Sequence, residues 1–228
     1  MRTAILGLAA LTGAVSLALA TPAMAGPFTI NDIELPYNDI LTINGPTSGT
    51  AYVGQQVLTT SIGTIDAWCI DIYHDDQVGP NQNVAYVTGP ITTNNATPTA
   101  VALTDDQISK IRALVNYGDA LLANPATASN NVSAAIQLAI WQVEYPSFTY
   151  QGNTTLNGLI SNYLTVVSDP KQAALYGGNV IALISQQGTQ TLVTGDPALV
   201  PEPASLALLG AGVLGLAASR RRKSPTSA

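Results

Sequence analysis

The stretch TIDAWCIDIY, residues 64–73, decides how this chain is read. Its alternation sets Ile65, Ala67, Cys69, Asp71 and Tyr73 on one side and Asp66, Trp68, Ile70 and Ile72 on the other. Apolar residues on both sides predict a strand covered on both faces. The stretch also holds the one cysteine of the chain. The first 25 residues, with Arg2, an apolar run over residues 4–20 and the small-residue site Ala23-Met24-Ala25, have the layout of a secretory signal peptide. Export delivers a protein to surroundings where thiols oxidise or pair, and one cysteine cannot close an intramolecular disulfide. That leaves three states for Cys69: buried and inert, linked to another chain, or bonded to something other than sulfur.

Working outward, strands are expected at residues 40–43, 52–62, 64–73 and from 84 onward, separated by turns at Gly45-Pro46, Gly49, Gly54, Gly79-Pro80 and Gly89-Pro90. The pattern then changes period. Thr104 followed by Gln107 is a capping-box signature, and Ile108, Ile111, Leu114 and Val115 repeat at helical spacing, predicting a helix over about 105–117 that Gly118 breaks or bends. A second helix is expected from Asn131 or Ser133 to the stop at Pro146, and a third over about 155–167. Residues 179–185 and 189–195 then read as a hairpin returning to the sheet. Strands, helices and strands in that order predict an α+β fold: an antiparallel sheet or sandwich packed with an inserted helical block.

The charge is uneven. Of 8 Lys and Arg, Arg2 and the cluster Arg220-Arg221-Arg222-Lys223 account for five, leaving Lys110, Arg112 and Lys171 between residues 26 and 200. All of the 14 acids except Glu202 fall in that core, so 3 minus 13 gives a net charge of −10. Such a surface repels phosphate backbones, which argues against a nucleic-acid partner.

Gln137 sits on the second helix among Ile136, Leu138 and Trp141. A glutamine on a helix apolar around most of its circumference needs hydrogen-bond partners or a reason to be buried. Beside a covered cysteine it fits a condensation in which the Cys69 sulfur attacks the Gln137 side-chain amide, ammonia leaves, and a thioester joins strand to helix. The motifs WCID (residues 68–71) and IQLAIW (residues 136–141) together resemble those of bacterial thioester domains, found in surface adhesins. Trp68, Cys69 and Ile70 match the aromatic-Cys-apolar motif; Ile136, Gln137, Ile140 and Trp141 match the second. The helix ending in Asn116-Tyr117-Gly118 and the closing hairpin follow in the expected order, so the resemblance covers most of the core.

The resemblance implies an activated acyl group open to attack by an external amine or hydroxyl, leaving an amide or ester and a free thiol, and used once. Water competes, so the bond must be shielded. Trp68, Tyr73, Trp141 and Tyr145 are the expected shields, and a core with only two lysines limits self-reaction. His74 is a candidate base for hydroxyl attack, though a polar loop histidine is the better explanation of it, and Asp71 is expected to hydrogen-bond within the site. The spacing of Asp71, Asp75 and Asp76 does not match a calcium loop with fixed ligand positions. No metal, cofactor or catalytic residue of a turnover enzyme is expected. The alternatives are a structural matrix protein with a free Cys69 or an inert thioester staple, and a Cys69–His74 hydrolase.

At the far end, Val200-Pro201-Glu202-Pro203, an apolar run over residues 204–218 and the basic cluster resemble the PEP-CTERM sorting signal of Gram-negative bacteria. The sorting motif itself is Pro201, Glu202 and Pro203. Fifteen apolar residues are short for a full span, and the positive cluster holds its end in the cytoplasm. The expected organisation is a signal peptide over 1–25, a thioester domain over 26–199, the sorting signal over 200–223 and a tail over 224–228. The resemblance implies an exosortase-type processing enzyme as partner and transient anchoring in the inner membrane. The destination would be the cell surface or extracellular matrix, and the covalent target an amine or hydroxyl of a protein or glycan.

Overall fold

The computed structural model describes residues 27–93, 100 and 102–195. The expected signal peptide and sorting signal lie outside the described residues. The architecture is α+β with antiparallel sheets, as the order of patterns predicts. Six strands close a barrel: β1 (Phe28–Glu34), β4 (Gln56–Thr60), β5 (Gly63–Cys69), β9 (Leu192–Thr194), β8 (Ile181–Ser185) and β6 (Gly79–Gly89), in that spatial order. Beside it β3 (Gly49–Gly54), β2 (Asn38–Asn44) and β7 (Thr149–Tyr150) form a second, three-stranded sheet. Closure leaves the barrel without an open edge for another chain to extend.

The segment 52–62, expected as one strand, is two. β3 belongs to the small sheet and β4 to the barrel, and the chain changes sheets at Gly54 and Gln55. A side chain at Gly54 would collide with the Tyr37 carbonyl oxygen and with Ser133 Oγ. The same Ser133 Oγ accepts the Gln55 backbone N–H at 2.7 Å, so a helix pins the crossover. The segment 64–73 also departs from expectation: β5 stops at Cys69, after which the chain turns. Asp71 is consequently fully buried, while Tyr73 is 38% exposed.

Three helices pack as the inserted block: α1 (Asp105–Ala123), α2 (Asn130–Glu144) and α3 (Thr154–Ser168). The capping box at Thr104 and Gln107 forms as read, and the Gln107 side chain also donates to the Val143 carbonyl at 2.8 Å, tying the start of α1 to the end of α2. α2 is capped by Ser129 and is buried without interruption over residues 133–141, the signature of a helix enclosed on all sides. It lies against α1, α3 and the small sheet. A short α4 (Pro170–Leu175), absent from the sequence reading, starts where the Asp169 carboxylate accepts the Lys171 N–H and Pro170 opens the first turn.

Gly118 does not break α1, which runs five residues beyond it. Its role is close approach: an added Cβ would lie 2.8 Å from Ile136 Cγ2 and 2.8 Å from Trp68 Cζ2. The next residue completes the junction, since Asp119 Oδ1 accepts the Trp68 indole N–H at 2.9 Å and the Gln55 amide at 2.8 Å. Gly118→Ala gains about 1 kcal/mol of helix propensity against an overpacking penalty of about 1–3 kcal/mol. A net loss is expected, lowering the melting temperature by a few degrees; a higher melting temperature by calorimetry would show that Trp68 is not seated tightly on α1.

Candidate functional site: Cys69 and Gln137

β4 pairs with β5 only as far as Gln56 opposite Ala67, so Cys69 lies past the end of that ladder. On the other side Cys69 pairs with Leu192 of β9. Gln137 of α2 occupies the place β4 has vacated. Its Oε1 accepts the Cys69 N–H at 2.9 Å, and its Nε2 donates to the Cys69 carbonyl at 2.8 Å. The side-chain amide thus acts as a one-residue strand. Gln137 and Cys69 are 1% and 3% exposed. The structure brings together the two residues that the motifs single out, 68 positions apart in sequence.

The Cys69 Sγ donates to the Asp71 carbonyl at 3.2 Å, and that oxygen also accepts from Gln190 Nε2 at 3.2 Å. Gln190 is steadied by Gln56, whose Nε2 donates to Gln190 Oε1 at 2.8 Å. Burial pushes the Cys69 thiol well above its ordinary pKa, and the Asp71 and Glu144 carboxyls, where ionised, push it further; the Asp71 backbone and the Trp141 indole pull it back, by less. Trp141 Nε1 makes no hydrogen bond of ordinary geometry, yet lies near enough to the sulfur to favour the thiolate. A thiol in these surroundings is a poor free nucleophile.

The four expected shields divide. Trp141 is buried edge-on to Phe148, and Tyr145 is buried edge-on to Tyr73, with its hydroxyl 3.5 Å from the Ile70 carbonyl. These three, Tyr73, Trp141 and Tyr145, gather where the chain leaves Cys69. Trp68 does not join them: adjacent residues of a strand face opposite ways, and its ring is seated against Gly118 and Asp119 of α1. His74 Nδ1 meets Asp71 Oδ2 at 2.7 Å, so the histidine is oriented by Asp71 and not bonded to the sulfur. Asp71 also accepts the Tyr73 N–H at 3.1 Å.

A cleft of about 440 Å³ opens over this region between the barrel and the small sheet. Tyr52, Ile72, Tyr73, Asp75, Asp76, Trp141 and Gln190 are among its lining residues, so it passes from an aromatic and acidic rim to the residues that hold the Asp71 carbonyl under the sulfur. Among the described residues no group of three or more His, Cys, Asp and Glu gathers as a metal site. Glu144, Gln56 and Gln190 escaped the sequence reading. Only Glu144 carried a usable signal, an acid seven residues after Gln137 on an apolar helix face.

The PEP-CTERM protein-sorting motif matches residues 199–223. That motif is recognised by an exosortase and marks an exported protein that is anchored by its C-terminal end before processing. Among the described residues no helix is long and apolar enough to cross a membrane; the apolar run 204–218 lies outside them. No curated protein matches the chain. Among solved structures, the chain is similar to the N-terminal thioester domain of fibronectin-binding protein SfbI from Streptococcus pyogenes, at 14% identity and a TM-score of 0.43, over 71% of this chain and 93% of that one.

Asp76 supplies a pH test of the cleft. Burial raises its carboxyl to about 6, while hydrogen bonds from the Gln190 backbone, Tyr86 and Thr189 oppose the rise. The folded state therefore holds this proton more tightly than the unfolded chain, and stability falls as pH rises from the ordinary carboxylate range through about 6. Asp76→Asn should remove that part of the fall, up to roughly 3 kcal/mol. Equal pH slopes for mutant and wild type in denaturant titrations would show that Asp76 is solvated.

Proposed function

We propose that Cys69 and Gln137 condense to an internal thioester, with loss of ammonia, and that the protein uses this bond for covalent attachment to an amine or hydroxyl on another surface molecule. The observation that carries the reading is the pair of hydrogen bonds holding the Gln137 amide on the Cys69 backbone in a closed, water-poor site. Proximity of this kind makes an otherwise slow acyl transfer effectively unimolecular. The two motifs resemble those of thioester domains, which supports the same chemistry. Residues 26–199 would form the thioester domain and 200–223 the sorting signal.

The incoming group would enter by the cleft, displacing Tyr73, the exposed member of the aromatic cluster. Its rim carries Asp75 and Asp76, which attract a cationic amine before it loses its proton. Attack on the former Gln137 carbonyl forms the new amide or ester as the carbon–sulfur bond breaks, and the sulfur takes the proton. Each molecule reacts once, so the protein is a covalent binder and not a turnover enzyme. With export and exosortase processing, the expected setting is adhesion or matrix assembly at the cell surface. A hydrolase reading is disfavoured because His74 is held on Asp71 and is not bonded to the sulfur. The deep burial of both crosslinking residues favours one other reading, an inert staple between β5 and α2.

Intact-mass measurement separates these. The wild-type protein should be one ammonia lighter than its sequence and should gain one methylamine on incubation, while Cys69→Ala and Gln137→Ala should do neither. A lighter mass without methylamine uptake identifies the staple; full mass with a titratable thiol ends the thioester reading. Against a Cys69→Ala background, which keeps the Gln137 amide intact, adding Gln137→Ala leaves the residue 69 N–H and carbonyl unpaired in the interior, and should cost about 2–4 kcal/mol of stability.

A further inference from the structure

Glu144 is the last residue of α2, 5% exposed, and neither of its carboxyl oxygens has a hydrogen-bond partner. Unsatisfied buried carboxyls are rare because they cost stability without return, so each calls for an explanation. Structural convenience does not supply one. The residue sits at the helix C-terminus, where the macrodipole disfavours negative charge, and Gln107 already caps the carbonyls of Val143 and Glu144.

Position does supply one. Gln137, Trp141 and Glu144 are spaced at i, i+4 and i+7 and share one helix face. Side chains on a helix lean toward its N-terminus, so from position 144 the carboxyl leans back along the face that carries Trp141 and Gln137. The chain leaving Cys69 runs past the same end of α2, where the Tyr145 hydroxyl lies 3.5 Å from the Ile70 carbonyl. The groups acting on Glu144 come from that chain: Asp71, with His74 paired to it, and Cys69. From α1 the neutral amide of Gln107 faces the helix end. Burial, then the charge of Asp71, holds the Glu144 carboxyl well above the usual carboxylate range, which favours its acid form.

The thioester reading, on which this inference rests, needs a group with that property. The sulfur must lose a proton to attack the amide carbon, and the amide nitrogen must gain one to leave as ammonia. We propose that Glu144 is the proton-transfer residue of thioester formation: it gives its proton to the departing Gln137 nitrogen and is reprotonated by the proton from the Cys69 thiol. One carbon–sulfur bond forms, one carbon–nitrogen bond breaks, one ammonia leaves, and Glu144 ends as it began. In the reverse sense, when an amine opens the thioester, the Glu144 carboxylate takes the amine proton after its acid form has protonated the departing sulfur.

The test follows ammonia loss by intact mass as full-length chain, recovered unfolded with its amide intact, is folded by dilution from mildly acidic to mildly alkaline pH. Wild type should condense fastest where Glu144 is protonated and slow as rising pH ionises it. Glu144→Gln, nearly the same shape, should fold with an unchanged melting temperature yet condense roughly 100-fold more slowly. A mutant that condenses at the wild-type rate overturns the assignment and leaves the thioester reading standing. So does a wild-type rate that climbs steadily with pH, as thiolate-limited attack would, and this arm decides the matter even if the mutant does not fold. If wild type keeps its full mass and a titratable thiol at every pH, the thioester reading falls and the relay with it.

Discussion

Everything in this structure that bears on chemistry depends on one side-chain amide completing a β-ladder. Gln137 takes up both backbone hydrogen-bonding groups of Cys69 at the point where β4 has ended, and in doing so fixes α2 against the barrel. Burying a primary amide without partners costs roughly 2–7 kcal/mol, so the helix has one favourable rotation and depth along β5. The supporting contacts follow from that constraint. Ser133, one turn before Gln137, receives the crossover at Gln55, and Asp119 of α1 holds both Gln55 and Trp68. Gly118 lets the two helices and the indole close to contact distance.

The interior thus assembled is hostile to ionised groups. Cys69, Glu144 and Asp76 are all shifted toward their neutral forms, and burial is the leading cause for each. A protein that only needed a stable core would fill this space with aliphatic side chains. Here a thiol, an amide, an indole N–H and a carboxyl are gathered within two turns of one helix and the end of one strand. Keeping water and charge out would prolong the life of the proposed acyl bond, and would also leave that bond in need of a proton carrier. Both requirements point to the same face of α2.

Much of the fold was legible in the chain. The period-2 and period-3.6 patterns identify the strand-rich start, the three long helices and the closing hairpin, and the capping box at Thr104 and Gln107 forms as read. The misreadings have local causes. Gly118 has the appearance of a helix breaker but is required by packing, a distinction that depends on residues distant in sequence. The run 52–62 is continuous in pattern yet changes sheets at Gly54, because Ser133 and Tyr37 meet it there. Barrel closure and the separate three-stranded sheet depend on pairing between strands far apart in the chain, which hydrophobic periodicity does not encode.

For the site the division is sharper. The sequence by itself determined the chemical inventory: one cysteine on a covered strand, one glutamine on an apolar helix, few lysines, and a sorting motif at the end of the chain. Those follow from residue type and local period. Only the tertiary structure decided that Gln137 meets Cys69, that Trp68 turns to α1 while Trp141 and Tyr145 stay with the thiol, that His74 is held by Asp71, and that Glu144 is buried without a partner. Local sequence sets which way a side chain leaves its own strand or helix. What it meets there is set by helix docking, and docking is settled by the burial and hydrogen bonding of the whole assembly.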